Sequence, residues 1–219
     1  NVLLRRVFQN QRLAVRNGDG YVQVTLSGNR SFYLLTVIVV GITEDVFRFR
    51  EFHLPEILLY LCAAHIKYGV SCEDIFAMIR DRYNEIIAEC GLHISLDKEF
   101  DALWDKMKNG ISQDELASRG EYFSARLMAE YLGYEFVDAA RWIKFKFDGT
   151  VDQDASYAAL RSLAEDRKVV IPGFYGVMPD GHIRTFSRGG SDITGALAAA
   201  ALDADVYENW TDVSGFLMA

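Results

Sequence analysis

The sequence predicts an α/β protein with a mainly parallel sheet covered on both faces. Three observations carry this reading: β-branched runs near the N-terminus, four helical segments in the middle, and strands alternating with helices from Gly133 onward. The chain has 219 residues, half of them hydrophobic and only three of them proline, enough apolar material for one substantial core.

Periodicity places the elements in order. Val22, Val24 and Leu26 alternate as a strand does, and Phe32 to Val40 is a second apolar run. Ile57 to Tyr68 reads as a helix. Ser71 to Glu89 reads as another, with Ser71 and Asp74 as a loose capping pair, Gly91 just past its end and Ile75, Ile79, Ile86 and Ile87 as its apolar face. Leu96 to Lys108, closed by Gly110, and Ser112 to Tyr131, closed by Gly133, complete the helical set. Glu135 to Ala139, Ile143 to Phe147 and Lys168 to Ile171 read as strands, with a helix from Ser156 to Glu165 before the last. Pro172-Gly173 ends a strand, and Met178-Pro179-Asp180-Gly181 turns the chain into a strand from His182 to Phe186. An alanine-rich helix from Ile193 to Leu202 and a strand from Val206 to Trp210 follow.

Charge excludes some functions. The formal net charge is -8 with a pI near 5.0, which argues against nucleic acid as a partner and favours a soluble cytoplasmic protein. The longest apolar run, Phe32 to Ile42, is interrupted by Thr36 and is too short to span a bilayer. The charge is uneven: up to Arg50 there are seven Arg against three acids, a net of +4 that leaves -12 for the remainder, and the first lysine is Lys67. Either a basic arm or a segment of different origin would produce that seam. Cys62, Cys72 and Cys90 form no CxxC pair and read as small core hydrophobes. His53, His65, His93 and His182 lack metal-ligand spacing, so no protein metal site is expected. Trp104, Trp142 and Trp210 read as core or edge anchors.

The stretch with the most chemistry is Thr185-Phe-Ser-Arg-Gly-Gly-Ser-Asp-Ile-Thr194, between a strand and the alanine-rich helix. Gly189 and Gly190 permit close backbone approach, and Ser191 or Asp192 would cap the helix, whose N-terminus favours an anion. Arg188 adds a planar fork suited to carboxylate or phosphate. A glycine turn with a helix cap and a surface Arg accounts for the same residues, so chemistry alone reaches an anion site at a strand–helix junction.

Four motifs in order carry a resemblance. Ser118-Arg-Gly-Glu-Tyr-Phe-Ser124, Val170-Ile-Pro-Gly-Phe-Tyr-Gly176, Arg184 to Thr194, and Trp210-Thr-Asp-Val-Ser-Gly215 resemble the aspartate kinase family over roughly Leu58 to Ala219. The first of these resembles that family's helix start. The resemblance implies the amino-acid kinase fold, a three-layer αβα sandwich, here incomplete at the C-terminus. It implies transfer of the γ-phosphoryl group of Mg-ATP to the side-chain carboxylate of L-aspartate, giving 4-phospho-L-aspartate for lysine, threonine and methionine synthesis. By the same resemblance Arg188 clamps the substrate α-carboxylate and Glu121 holds the α-ammonium. Ser191 and the Gly189 and Gly190 amides face the carboxylate being phosphorylated, Asp192 organises the cationic groups, and Gly173, Thr211 and Asp212 lie on the nucleotide.

The chain departs from the family in residues 1–57. The family's Lys-Phe-Gly-Gly-Ser/Thr loop is absent, and Leu54-Pro-Glu-Ile57 stands where its Val-Thr-Asp segment belongs. A shifted reading frame would account for this, with Leu4-Arg5-Arg6-Val7-Phe8 as an out-of-frame product of the loop's codons; divergence would also do so. No paired regulatory ACT domain is present within the 219 residues. These departures lead to the expectation of little or no turnover by the chain alone. Another amino-acid kinase with a different acid substrate, or a module that binds an amino acid without turnover, are the alternatives; a homo-oligomer is compatible with all three.

Overall fold

The computed structural model describes residues 21–26, 33–38, 53–164, 167–186 and 190–208. Two strands open the described fold, β1 (Tyr21–Leu26) and β2 (Tyr33–Ile38). Four helices follow: α1 (His53–Lys67), α2 (Glu73–Cys90), α3 (Asp97–Asn109) and α4 (Gln113–Leu132). Then come β3 (Glu135–Phe136), the short helix α5 (Ala139–Trp142), α6 (Gln153–Ala164) and β4 (Val169–Ile171). The hairpin strands β5 (Tyr175–Val177) and β6 (Ile183–Thr185), the helix α7 (Gly190–Ala201) and β7 (Val206–Glu208) complete the order.

Local chemistry sets the helix ends. Ser112 caps α4 by accepting the Glu115 N–H at 3.1 Å. Gly91, Gly110 and Gly133 terminate α2, α3 and α4 in the left-handed conformation, at φ of 63°, 97° and 67°. The expected cap of α2 shifts by one residue: Cys72 holds the cap position, and the Ser71 hydroxyl accepts the Glu73 N–H at 3.4 Å. Phe76, Ile79, Tyr83 and Ile86 are buried on α2, with Ile75 and Ile87 packed at the edge, so the apolar face lies near where periodicity put it.

The larger sheet has strand order β3-β4-β2-β1-β7. It is mixed rather than mainly parallel: β3–β4 and β4–β2 are parallel, while β2–β1 and β1–β7 are antiparallel. Other expectations change similarly. The strand expected over Glu135 to Ala139 stops at Phe136, because the Asp138 carboxylate accepts the Ala140 N–H at 3.0 Å and starts α5. The segment Ile143 to Phe147 contributes only the isolated bridges Lys144↔Val177 and Phe145↔Val151.

Two cores meet at α4. On one flank, Phe123 and Leu127 join a cluster built from α1, α2 and α3, in which the Phe100 and Phe123 rings stack at 4.5 Å and Tyr83 tilts against both. On the other, Ala125 and Ala129 pack on Val170 of β4. Val169 and Ile171, whose side chains point the opposite way along the strand, join Leu160 of α6 and Leu197, Ala198 and Ala201 of α7. Strand β4 therefore carries helices on both faces. Cys62 and Cys72 are buried and Cys90 is exposed, so the third cysteine is not the core residue expected. Trp142 is fully buried, while Trp104 stacks on Phe76 at 5.1 Å at the edge of the helical core. Trp210 and His53 lie among residues whose side chains are outside the described set. Among the described residues no helix is long and apolar enough to cross a membrane.

Candidate functional site

The site forms where β4 ends. Its three residues are all buried, and the chain leaves Ile171 through Pro172, Gly173 and Phe174 directly beneath the first turn of α7. A Cβ on Gly173 would fall 3.1 Å from the Ser191 Oγ and 3.2 Å from its Cα. A Cβ on Gly190 would fall 2.6 Å from the Phe186 Cβ and 3.1 Å from the Phe174 Cα. Gly190 has no room for a side chain, while at Gly173 a methyl would fit only if Ser191 gave way by a few tenths of an ångström.

Phe174 has φ of 75°, a left-handed conformation that costs a bulky residue about 1–3 kcal/mol. Two hydrogen bonds hold it there. Its N–H donates to the Thr194 Oγ1 at 3.0 Å, and its carbonyl accepts the Phe186 N–H at 2.9 Å. The Thr194 hydroxyl in turn donates to the Gly190 carbonyl at 2.7 Å. One buried hydroxyl thus ties the strand-end loop to the first turn of the helix.

Helix α7 begins at Gly190, earlier than either expected cap, so Ser191 and Asp192 lie inside its first turn rather than at the cap position. An anion in that turn is favoured by the helix dipole. The Asp192 carbonyl accepts the hydroxyl of Tyr207 at 3.3 Å. Burial, and then the nearby Asp192 carboxylate, push the Tyr207 phenol up to about 12. The strand that leads toward Thr211 and Asp212 therefore runs beside this turn.

Helix α4 brings Glu121. Asp114 in its first turn accepts the Thr185 hydroxyl of β6 at 2.9 Å. Seven residues further on, Glu121 falls on the same helix face, roughly 10 Å along the axis at 1.5 Å per residue. That face is the one turned to β6, whose C-terminal end leads to Arg188 and α7. The Ser118 to Ser124 motif lies inside α4, not at its start. Its buried members are held internally: the Ser118 hydroxyl donates to the Glu115 carbonyl at 2.7 Å, and Tyr83 reaches the Gly120 carbonyl at 3.2 Å and the Ser124 hydroxyl at 3.3 Å.

The structure brings Gly173, Gly190 and Ser191 into contact, sets Asp192 in the same turn, and puts Glu121 on the helix face toward the hairpin that enters that turn. Arg188, Gly189, Thr211 and Asp212 lie outside the described residues. Three supporting residues had no role in the sequence reading. Thr194 and Phe174 form the latch, and Tyr175, fully buried, donates its hydroxyl to the Asp138 carboxylate at 2.7 Å. Burial, and then the Asp138 charge, hold the Tyr175 phenol well above its ordinary value, while the Arg119 guanidinium sits 5.4 Å from its ring. A threonine four residues after a helix-opening glycine is the one signal that could have exposed the latch.

A buried strand end running under the first turn of a helix, on an α/β scaffold, is an arrangement shared with known proteins. A model of the amino acid kinase family matches residues 73–219, and the chain belongs to that family. Within it the likeness is to aspartate kinases. Aspartokinase 3 of Bacillus subtilis is 34% identical over 171 residues, covering 71% of this chain and 38% of that protein. The crystal structure of Clostridium acetobutylicum aspartate kinase superposes with a TM-score of 0.69 at 45% identity, over 75% of this chain and 38% of that one. Aspartokinase III of E. coli, crystallised with aspartate and ADP, shares the fold with a TM-score of 0.55 at 23% identity, over 70% of this chain and 38% of its own. The chain spans less than two fifths of the length of these relatives.

Proposed function

We propose that this chain is the substrate-gripping part of an aspartate kinase catalytic domain, a three-layer αβα sandwich of the amino-acid kinase type in a cytoplasmic protein. The opposed packing of Val170 and of Val169 with Ile171 supports the layering. The observation that carries the function is the Thr194 latch, which presses Gly173 against Ser191 at the mouth of α7.

In the proposed reaction a side-chain carboxylate oxygen of L-aspartate attacks the γ-phosphorus of ATP. The bond from that phosphorus to the β–γ bridging oxygen breaks, ADP leaves, and 4-phospho-L-aspartate forms. The nucleophile is ionised at neutral pH, so no general base is needed, and catalysis is positioning plus management of negative charge. Arg188 grips the α-carboxylate with a bidentate fork, and Glu121 holds the α-ammonium. Ser191 and the Gly189 and Gly190 amides orient the reacting carboxylate. Asp192 organises the cationic groups, and Gly173, Thr211 and Asp212 line the nucleotide. The phosphoryl donor in this reading is Mg-ATP, with Mg²⁺ brought by the nucleotide. Bound there, Mg²⁺ supplies charge neutralisation of the polyphosphate. With no lysine before Lys67 to meet the phosphates, the chain alone turns over slowly or not at all.

Calorimetry of the 219-residue chain with L-aspartate and with Mg-ATP, each separately, tests the assignment. Hydroxylamine in the reaction mixture traps any acyl phosphate as aspartyl hydroxamate. Aspartate binding that weakens in Glu121→Gln, and in Arg188→Ala with little rescue by Arg188→Lys, supports the reading. A folded chain that binds no aspartate overturns it.

A further inference from the structure

Away from Ser191, an open cleft of about 560 Å³ lies between the start of α4 and the β5–β6 hairpin, within the size range of small-molecule sites. Its apolar wall is Phe145, Met178, Ile183 and Phe186, with the Phe145 and Phe186 rings 5.2 Å apart. Two opposite charges also line it. The Arg184 guanidinium is 5.9 Å from the centre of the Phe145 ring and lies against Gly149, where a Cβ would come within 2.2 Å of its Nη1. Gly149 has φ of 83°, so the turn that leaves room for the guanidinium also needs glycine. Asp114 is the second charge, and its Oδ1 is taken by the Thr185 hydroxyl.

Among the described residues neither charge has an ion-pair partner, and the two do not pair with each other although they line one cleft. The Arg184 guanidinium, whose Nη1 reaches the Met178 sulfur at 4.0 Å, and the Asp114 carboxylate line one cleft together with apolar side chains, a set that matches a carboxylate and an ammonium joined by an apolar body. We propose that this cleft binds a small α-amino acid with an apolar side chain. Arg184 takes the carboxylate, Asp114 the ammonium, and Phe145, Met178, Ile183 and Phe186 the side chain. The cleft borders the aspartate grip proposed above, since Phe186 lies against Gly190, but its ligating charges, Arg184 and Asp114, are not among the grip's residues.

The test uses the 219-residue chain and L-leucine as probe, followed by calorimetry. Saturable binding is expected, weakened about tenfold or more in Arg184→Gln and in Asp114→Asn, with L-aspartate binding unchanged in Arg184→Gln. A second measurement needs no variant: 4-methylpentanoate, which is leucine without its ammonium, should bind the unsubstituted chain about tenfold more weakly than leucine. No saturable leucine binding up to ~10 mM overturns the proposal, as does equal binding of the two probes. Loss of aspartate binding alone would count against the kinase reading and leave this site standing.

Discussion

The Thr194 hydroxyl accepts the N–H of Phe174 at 3.0 Å and donates to the Gly190 carbonyl at 2.7 Å, joining two segments 20 residues apart in the chain. Thr194 is fully buried. Thr194→Val keeps the shape and removes both bonds, leaving the Phe174 N–H without its partner. Urea unfolding should show a loss of about 1–3 kcal/mol, and Thr194→Ser should recover most of it. Equal stability of the valine and serine variants would show that the latch contributes nothing.

Gly173→Ala separates binding from stability. Its new methyl meets the Cα of Ser191 at 3.2 Å, within the first turn of a helix that cannot yield freely. The strain is partly offset by the lower entropy of the unfolded alanine chain, about 0.4–1 kcal/mol, so stability should change by about 1 kcal/mol or less. Aspartate affinity, measured by calorimetry, should fall about tenfold as Ser191 is displaced.

Alkaline pH should loosen the protein through Tyr175. Its folded value is raised above the unfolded value by burial and then by Asp138. The unfolded chain therefore loses this proton first, and the corresponding stability is complete below the unfolded value near 10 and is lost as pH rises above it. Unfolding midpoints between pH 9 and 12 should fall in the parent, and the slope should be shallower in Tyr175→Phe. That variant should also lose about 1 kcal/mol at neutral pH with the hydrogen bond to Asp138.

The three cysteines should react unequally. Cys90 is exposed, whereas Cys62 is buried, and burial followed by the neighbouring Cys72 pushes its thiol up to about 12. Ellman's reagent should titrate one thiol in the native protein and all three in denaturant. Rapid native reaction of two or more would show that the α1–α2 packing opens readily.

Helix limits were legible because their signals are local. Gly91, Gly110, Gly133 and Ser112 act on the turns beside them, and each ends or starts a helix close to the expected position. Strand partners were not legible. Nothing in the alternation of Val22, Val24 and Leu26 says that β1 runs antiparallel to both its neighbours, since direction is set by distant segments. The hairpin strand β5 was missed because Tyr175–Val177 is three residues long and contains a glycine. Ile143 to Phe147 looked like a strand, but a bridge to Val177 and another to Val151 split its pairing between two partners. At the site, Gly173, Gly190, Ser191 and Asp192 were visible as glycines and polar residues at a junction. The positive φ of Phe174 was not, because tertiary contacts with Thr194 and Phe186 impose it.

Helix α4 lends one flank to the aromatic cluster and the other to β4, with Phe123 and Ala125 only two positions apart. Neither half can come apart while the other stays whole, so heating should produce a single melting transition for both. Strain introduced beneath Phe123 would likewise pass two residues along the helix to the carboxylate of Glu121, so the aromatic layer would adjust the proposed hold on substrate.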